Sequence, residues 1–169
     1  MTNSDFCRGL ACVVLGAILL GCSNTTKPPV AATAPAPITI DKLNLLAAPI
    51  AFNLDGVPGP DAVMVKIYAG NVRNPKPVAI TSGTVDLLAF EGLLGTSTNV
   101  PQPFKTWTFT ASELRRMQFK ASIGIGYEIT ASFVGLKPRA DKLTILARYR
   151  SDPSHAVYSS PSTISLTAN

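Results

Sequence analysis

Three stretches of this chain alternate apolar and polar residues with a period of two. Val63, Val65 and Ile67 alternate with Met64, Lys66 and Tyr68. Tyr127, Ile129, Ala131 and Phe133 alternate with Glu128, Thr130, Ser132 and Val134, and Leu143, Ile145, Ala147 and Tyr149 with Thr144, Leu146, Arg148 and Arg150. Successive side chains of a strand leave on opposite faces, so each stretch offers one set to a core and the other to water. Shorter runs at residues 38–46, 50–54, 78–80, 84–91, 104–110, 118–123 and 164–167 read as further strands. Gly, Pro, Asn and Asp mark turns between them at residues 55–61, 74–77 and 152–154.

Seven to nine short strands at this spacing imply an all-β, antiparallel β-sandwich. No βαβ rhythm is present, which argues against a parallel sheet. In this general sense the domain resembles immunoglobulin-like or transthyretin-like sandwiches, without the Cys…Trp…Cys spacing of antibody domains. Trp107 shares a strand face with Lys105 and Phe109, as a core anchor or a cap on one open end. One helical turn is expected where Thr110 and Glu113 have the spacing of a capping box.

The N-terminus reads as an address. Arg8 ends a short polar region, and an apolar run from Gly9 to Leu20 follows. That run is too short for a membrane span of about 20 apolar residues and suits a signal-peptide core. It ends in Leu19, Leu20, Gly21 and Cys22, which resembles the lipobox of bacterial lipoproteins. The resemblance implies removal of residues 1–21 and acylation of Cys22, so that the lipid bilayer is a partner. By resemblance to enterobacterial lipoprotein sorting, in which Asp at the next position retains a protein in the inner membrane, Ser23 implies the outer membrane, facing the periplasm. An ordinary signal peptide or an uncleaved anchor is the competing reading. Cys7 and Cys12 lie within the signal segment and none follows Cys22, so the folded part has no internal disulfide framework.

Residues 22–37 hold the lipidated Cys and then a Pro- and Ala-rich stretch almost without large apolar residues, expected to be a disordered tether. The domain is expected over residues 38–169.

Composition narrows the function. Charged residues are 15% of the chain, against about 25% in an average soluble protein. The formal charge of +5 is spread along the sequence, which does not mark a nucleic-acid binder. A single histidine, His155, sits in an expected turn. With one histidine and one mature cysteine, neither a nucleophile–base pair nor a zinc ligand set can be assembled without leaning entirely on carboxylates. The chain is therefore read as a non-enzyme with no metal, catalytic residue or cofactor. Gly124 and Gly126 read as a bulge or tight turn, lacking the third glycine of a dinucleotide loop.

Two places remain as partner-binding candidates. Asp55 and Asp61 bracket a Gly- and Pro-rich loop, and Arg148 and Arg150 share the outward face of one strand in a basic C-terminal half. The expected role is a membrane-anchored binding or structural module for an envelope protein or glycan. A periplasmic carrier or sensor of a small ligand is the alternative from another class. Residues 52–68, with Asn53, Asp55, Gly56 and Pro58 leading into Val63, Val65, Ile67 and Tyr68, also resemble an early region of the lipoprotein subunit of type VI secretion systems. That resemblance implies a transthyretin-like sandwich docking on a membrane-core partner. No helical insertion like that family's is legible after the strand, and no partner-binding residue carries over.

Overall fold

A computed structural model describes residues 39–95 and 101–167. The expected signal segment, Cys22 and the tether lie outside the described residues. The chain forms two five-stranded, largely antiparallel sheets. The strands are β1 (Lys42–Ala47), β2 (Ala62–Asn71), β3 (Asn74–Val78), β4 (Thr84–Glu91), β5 (Lys105–Thr110), β6 (Gln118–Ala121), β7 (Gly124–Ser132), β8 (Lys142–Asp152), β9 (His155–Tyr158) and β10 (Ser162–Ser165). One sheet has the order β1-β2-β7-β6 with β3 also on β2. The other has β10-β8-β4-β5 with β9 also on β8.

The alternating residues form a core that both sheets share. Val63, Val65 and Ile67 of β2 and Ile129 and Ala131 of β7 join Val85, Leu87 and Ala89 of β4 and Leu143, Ile145 and Ala147 of β8 in one buried cluster. Register aligns them: Val65 lies across from Ile129, Val63 from Ala131, and Leu87 from Ala147. Each large aliphatic residue so buried contributes about 1.5–3 kcal/mol.

The chain passes between the sheets three times, from β3 to β4, from β5 to β6 and from β7 to β8. Residues 50–54, expected as a strand, form only isolated bridges: Ile50 to Ser165, which is parallel, and Phe52 to Ala62. This stretch leaves β1 and meets β10, where Ala51 N donates to Ser165 O and Ser165 N to Pro49 O. On the other side α1 (Ala111–Arg116) carries the chain from β5 to β6. Its capping box is formed, and Leu114 is buried. Among the described residues no helix is long and apolar enough to cross a membrane.

One expected turn, residues 74–77, is a strand, while the turn expected at 152–154 forms at residues 153–154 without His155. Residues 74–77 belong to β3 despite Pro75 and Pro77, because β3 pairs with β2 alone among the strands and an edge tolerates residues without an N–H. His155 opens β9 and is not within the turn; Asp152 pairs with it across a two-residue hairpin connection. The Asp152 carboxylate accepts the N–H groups of Ser154 and His155, which forms the turn from its own side chain. Gly124 and Gly126 both lie in β7. A Cβ on Gly126 would come within 2.7 Å of both Phe119 and Tyr68, so that glycine makes room for an aromatic pair.

Candidate binding loop and cleft

β2, β7 and β8 give the molecule two ends. Ala62, the end of β7 and the start of β8 lie at one; Asn71, the start of β7 and the β8–β9 hairpin lie at the other. The ten residues of β2 separate the ends by about 30 Å at ~3.3 Å per residue.

The loop of residues 53–61 stands at the first end and is tied by its own polar side chains. Asp61 accepts Leu54 N at 2.7 Å on Oδ1 and Asp55 N at 3.1 Å on Oδ2. Asp55 Oδ1 accepts Val57 N at 2.8 Å. Asn53 accepts Gly56 N at 2.6 Å, and its amide donates to Val57 O. Gly56 turns with φ of 79°, a left-handed conformation costly for other residues. Asp61 is also held through its backbone, donating to Phe52 O and accepting Phe133 N. Burial pushes its carboxyl up, but the amide of Leu54 and the donors on Asp55 outweigh this and bring it below the ordinary carboxylate value.

This anchoring leaves apolar side chains outside. Leu54 is 55% exposed and Val57 63%. Across from Val57, Pro58 and Pro60, residues Gly135 to Pro138, Ala140, Asp141, Leu166 and Thr167 form the other wall of an open cleft of about 420 Å³. Pro58, Pro60, Leu136 and Pro138 give the lining much of its apolar character, with Asp55, Asp61, Lys137, Asp141 and Thr167 as polar groups. Leu136 is 40% exposed.

Arg148 and Arg150 do not join this site. They lie on β8, six and eight residues past Lys142, about 20 Å or more along the strand. Both are drawn onto Asp86 of β4, which is fully buried. Arg148 Nε reaches Asp86 Oδ2 at 2.9 Å and Arg150 NH2 reaches it at 3.0 Å, while Thr108 Oγ1 donates to Oδ1 at 2.7 Å. Burial lowers the affinity of Arg148 for its proton, but the Asp86 hydrogen bond and a contact with Tyr158 reverse this, and the guanidinium is held more firmly charged. Arg150 Nε is buried without a hydrogen-bond partner. The four candidates thus divide into a loop anchor at one end and an ion cluster toward the other.

Asp86 carries only a weak signal in the sequence. Its signal was a lone carboxylate inside the run Val85 to Phe90, on the same period-two face as the arginines of β8. Trp107 is half-buried, and its indole N–H donates to Ser132 O at 2.8 Å, tying β5 to the end of β7. Among the described residues no group of three or more His, Cys, Asp or Glu could hold a metal ion. Asp55 and Asp61 turn carboxylate oxygens to their own loop's amides. No family model matches the chain, and no curated protein sequence matches it either.

Proposed function

We propose that this chain is a lipoprotein held in the bacterial envelope through Cys22, facing the periplasm from the outer membrane, whose two sheets form an antiparallel sandwich of immunoglobulin-like or transthyretin-like kind. It works by binding an envelope protein or glycan, without catalysis and without nucleic acid. One observation carries the reading. The loop of residues 53–61 is secured from beneath by Asp61, while Leu54 stays exposed on the loop and Val57 stays exposed in the wall of a largely apolar cleft. Preorganised apolar groups of this kind bind at low entropic cost. Thr39, where the described chain begins, is bonded to Asn71 at the end of β2 opposite the loop.

The alternative of a type VI secretion-like lipoprotein draws support from the local resemblance over residues 52–68 alone. Asn53, Asp55 and Gly56 of the shared pattern are the residues that tie this loop. The chain departs from that family after β2, where β3 follows directly. A small-ligand carrier draws support from the cleft volume alone, which is in the range of ligand sites.

A photo-crosslinking residue placed at Val57 in cells tests the binding reading, with Thr130 on the exposed outer face of β7 as control. The expected result is one envelope-protein adduct from position 57 and none from 130. Equal adducts from both positions would count against a site at the loop.

A further inference from the structure

The two ends of the domain differ in charge. At the cleft end Asp55, Asp61, Glu91 and Asp141 are matched by Lys105, Lys137, Arg139 and Lys142. Lys66 and Glu128 pair midway, at 3.2 Å. At the other end Lys42, Arg73, Lys120, Arg148 and Arg150, with Arg115 and Arg116 of α1 following Thr110, outnumber Asp41, Asp86, Asp152 and Glu113. Register brings these cations together. Lys42 lies across from Gly70, Arg73 sits in the β2–β3 connection, and Lys120 lies across from Ile125. Gly124, next to that pair, sits close against Pro77 of β3. Arg150 lies across from Thr84 on the second sheet.

The carboxylates at this end are turned to internal partners. Asp86 is buried beneath Arg148 and Arg150. Asp41 accepts Val72 N, and Asp152 accepts the amides of its own turn. Lys42, Arg73 and Lys120 are exposed and make no ion pair among the described residues.

The chain toward Cys22 leaves from this same end. Thr39 O accepts from Asn71 Nδ2 at 2.8 Å, and Asp41 N donates to Gly70 O. The 17 positions from Cys22 to Thr39 could extend about 50 Å at ~3.1 Å per residue, so they permit the end to stand off a surface or settle on it. A tethered site needs little affinity of its own, because the linker holds it at an effective concentration on the order of millimolar.

We infer that the basic end, with Lys42, Arg73 and Lys120 at its surface, docks on the anionic phospholipid headgroups of the bilayer that holds Cys22, and so turns the cleft outward. The inference rests on the lipid-anchor reading. Attraction of lysine and arginine to an anionic surface acts only within about a Debye length, roughly 10 Å at 0.1 M salt, so the basic end is drawn down and the balanced cleft end is not.

The test separates docking from acylation. Cys22 is the only cysteine in the mature chain, so its thiol can be coupled to a maleimide lipid whether or not a cell would acylate it. The coupled chain is placed in nanodiscs of phosphatidylcholine, with or without phosphatidylglycerol, each carrying a paramagnetic headgroup lipid. Amide signals are then compared by NMR. The inference predicts at least severalfold stronger broadening at Arg73 and Lys120 than at Asp55 and Val57, in the anionic discs only. High salt or the exposed triple change K42E/R73E/K120E should abolish the difference, with chemical shifts elsewhere unchanged to report an intact fold. Equal broadening at both ends, equal broadening in neutral and anionic discs, or persistence in the triple variant would overturn it. Intact mass of the exported protein reports acylation separately, so either claim can fail alone.

Discussion

Arg148 closes over a buried carboxylate, its Nε 2.9 Å from Oδ2 of Asp86, on the face of the β4–β8 pair that points away from the shared core. Arg150 reaches the same carboxylate. A charge deprived of its partners in such a place is costly, typically about 3–5 kcal/mol, although a pair with one side in water is weaker. Replacing both arginines by methionine should therefore destabilise the domain by a few kcal/mol, about 3, in urea denaturation. Either single change should cost clearly less, because the other guanidinium remains. Adding Asp86→Leu to the double variant should recover much of the loss, since a fully apolar replacement removes the stranded charge. A triple variant no more stable than the double would show that packing, not charge, holds these strands.

Gly126 and Gly70 give a matched pair. Gly126→Ala pushes a methyl into Phe119 and Tyr68, whereas a Cβ at Gly70 meets nothing within 4 Å. The first change should cost about 1–3 kcal/mol as overpacking and the second well under 1. Thermal or urea unfolding of the two variants checks this, and equal costs would contradict the tight fit.

Neighbouring positions on β7 test the two faces. Ile129 is fully buried and Thr130 is exposed. Ile129→Ala should cost about 2–5 kcal/mol. Thr130→Ala should stay within about 0.5 kcal/mol, as surface changes usually do. Equal effects would put the core on the wrong face.

Acid should loosen the molecule locally before it unfolds. Asp152 is pulled down to about 2 from an ordinary 3.8, first by the hydroxyl of Ser154, then by its amide and by Ser151. Asp61 is lowered as well. A depressed folded-state value means that the stabilisation is complete above the unfolded value and fades as pH falls through the folded one. The β8–β9 turn should thus be unchanged from neutral pH to about 4 and open toward pH 2. Amide exchange at Ser154 and His155 follows the β8–β9 turn, and at Leu54 and Asp55 the loop. Asp152→Asn should weaken this pH response at the turn alone; an unchanged response would place its cause elsewhere.

What the sequence made legible was local and periodic. Residues 84–91 read as a strand and are one, as are the cores of β2, β7 and β8, because alternation is written residue by residue. The capping box of Thr110 and Glu113 is equally local, and it formed. The misreadings came from context. Proline at 75 and 77 signals a turn unless the strand is known to lie at an edge, and edges are set by topology. Residues 50–54 look like a strand but form only isolated bridges. At the candidate loop, Asp55 and Asp61 stood out, but their roles as amide acceptors depended on the fold of the intervening turn. Arg148 and Arg150 were visible as outward residues. Their shared partner Asp86 was not, because pairing β4 with β8 joins positions 62 and 64 residues apart.

The central claim is that the loop and cleft bind a partner in the envelope. Capture from detergent-solubilised membranes with the anchor intact tests it most directly, comparing the native chain with V57D/L136D. Both positions are exposed at the cleft, so the double change should leave the unfolding midpoint nearly unaltered. The account predicts a stoichiometric envelope partner retained by the native chain and lost, by at least about tenfold, from the variant; retention of the same partner by both would contradict it.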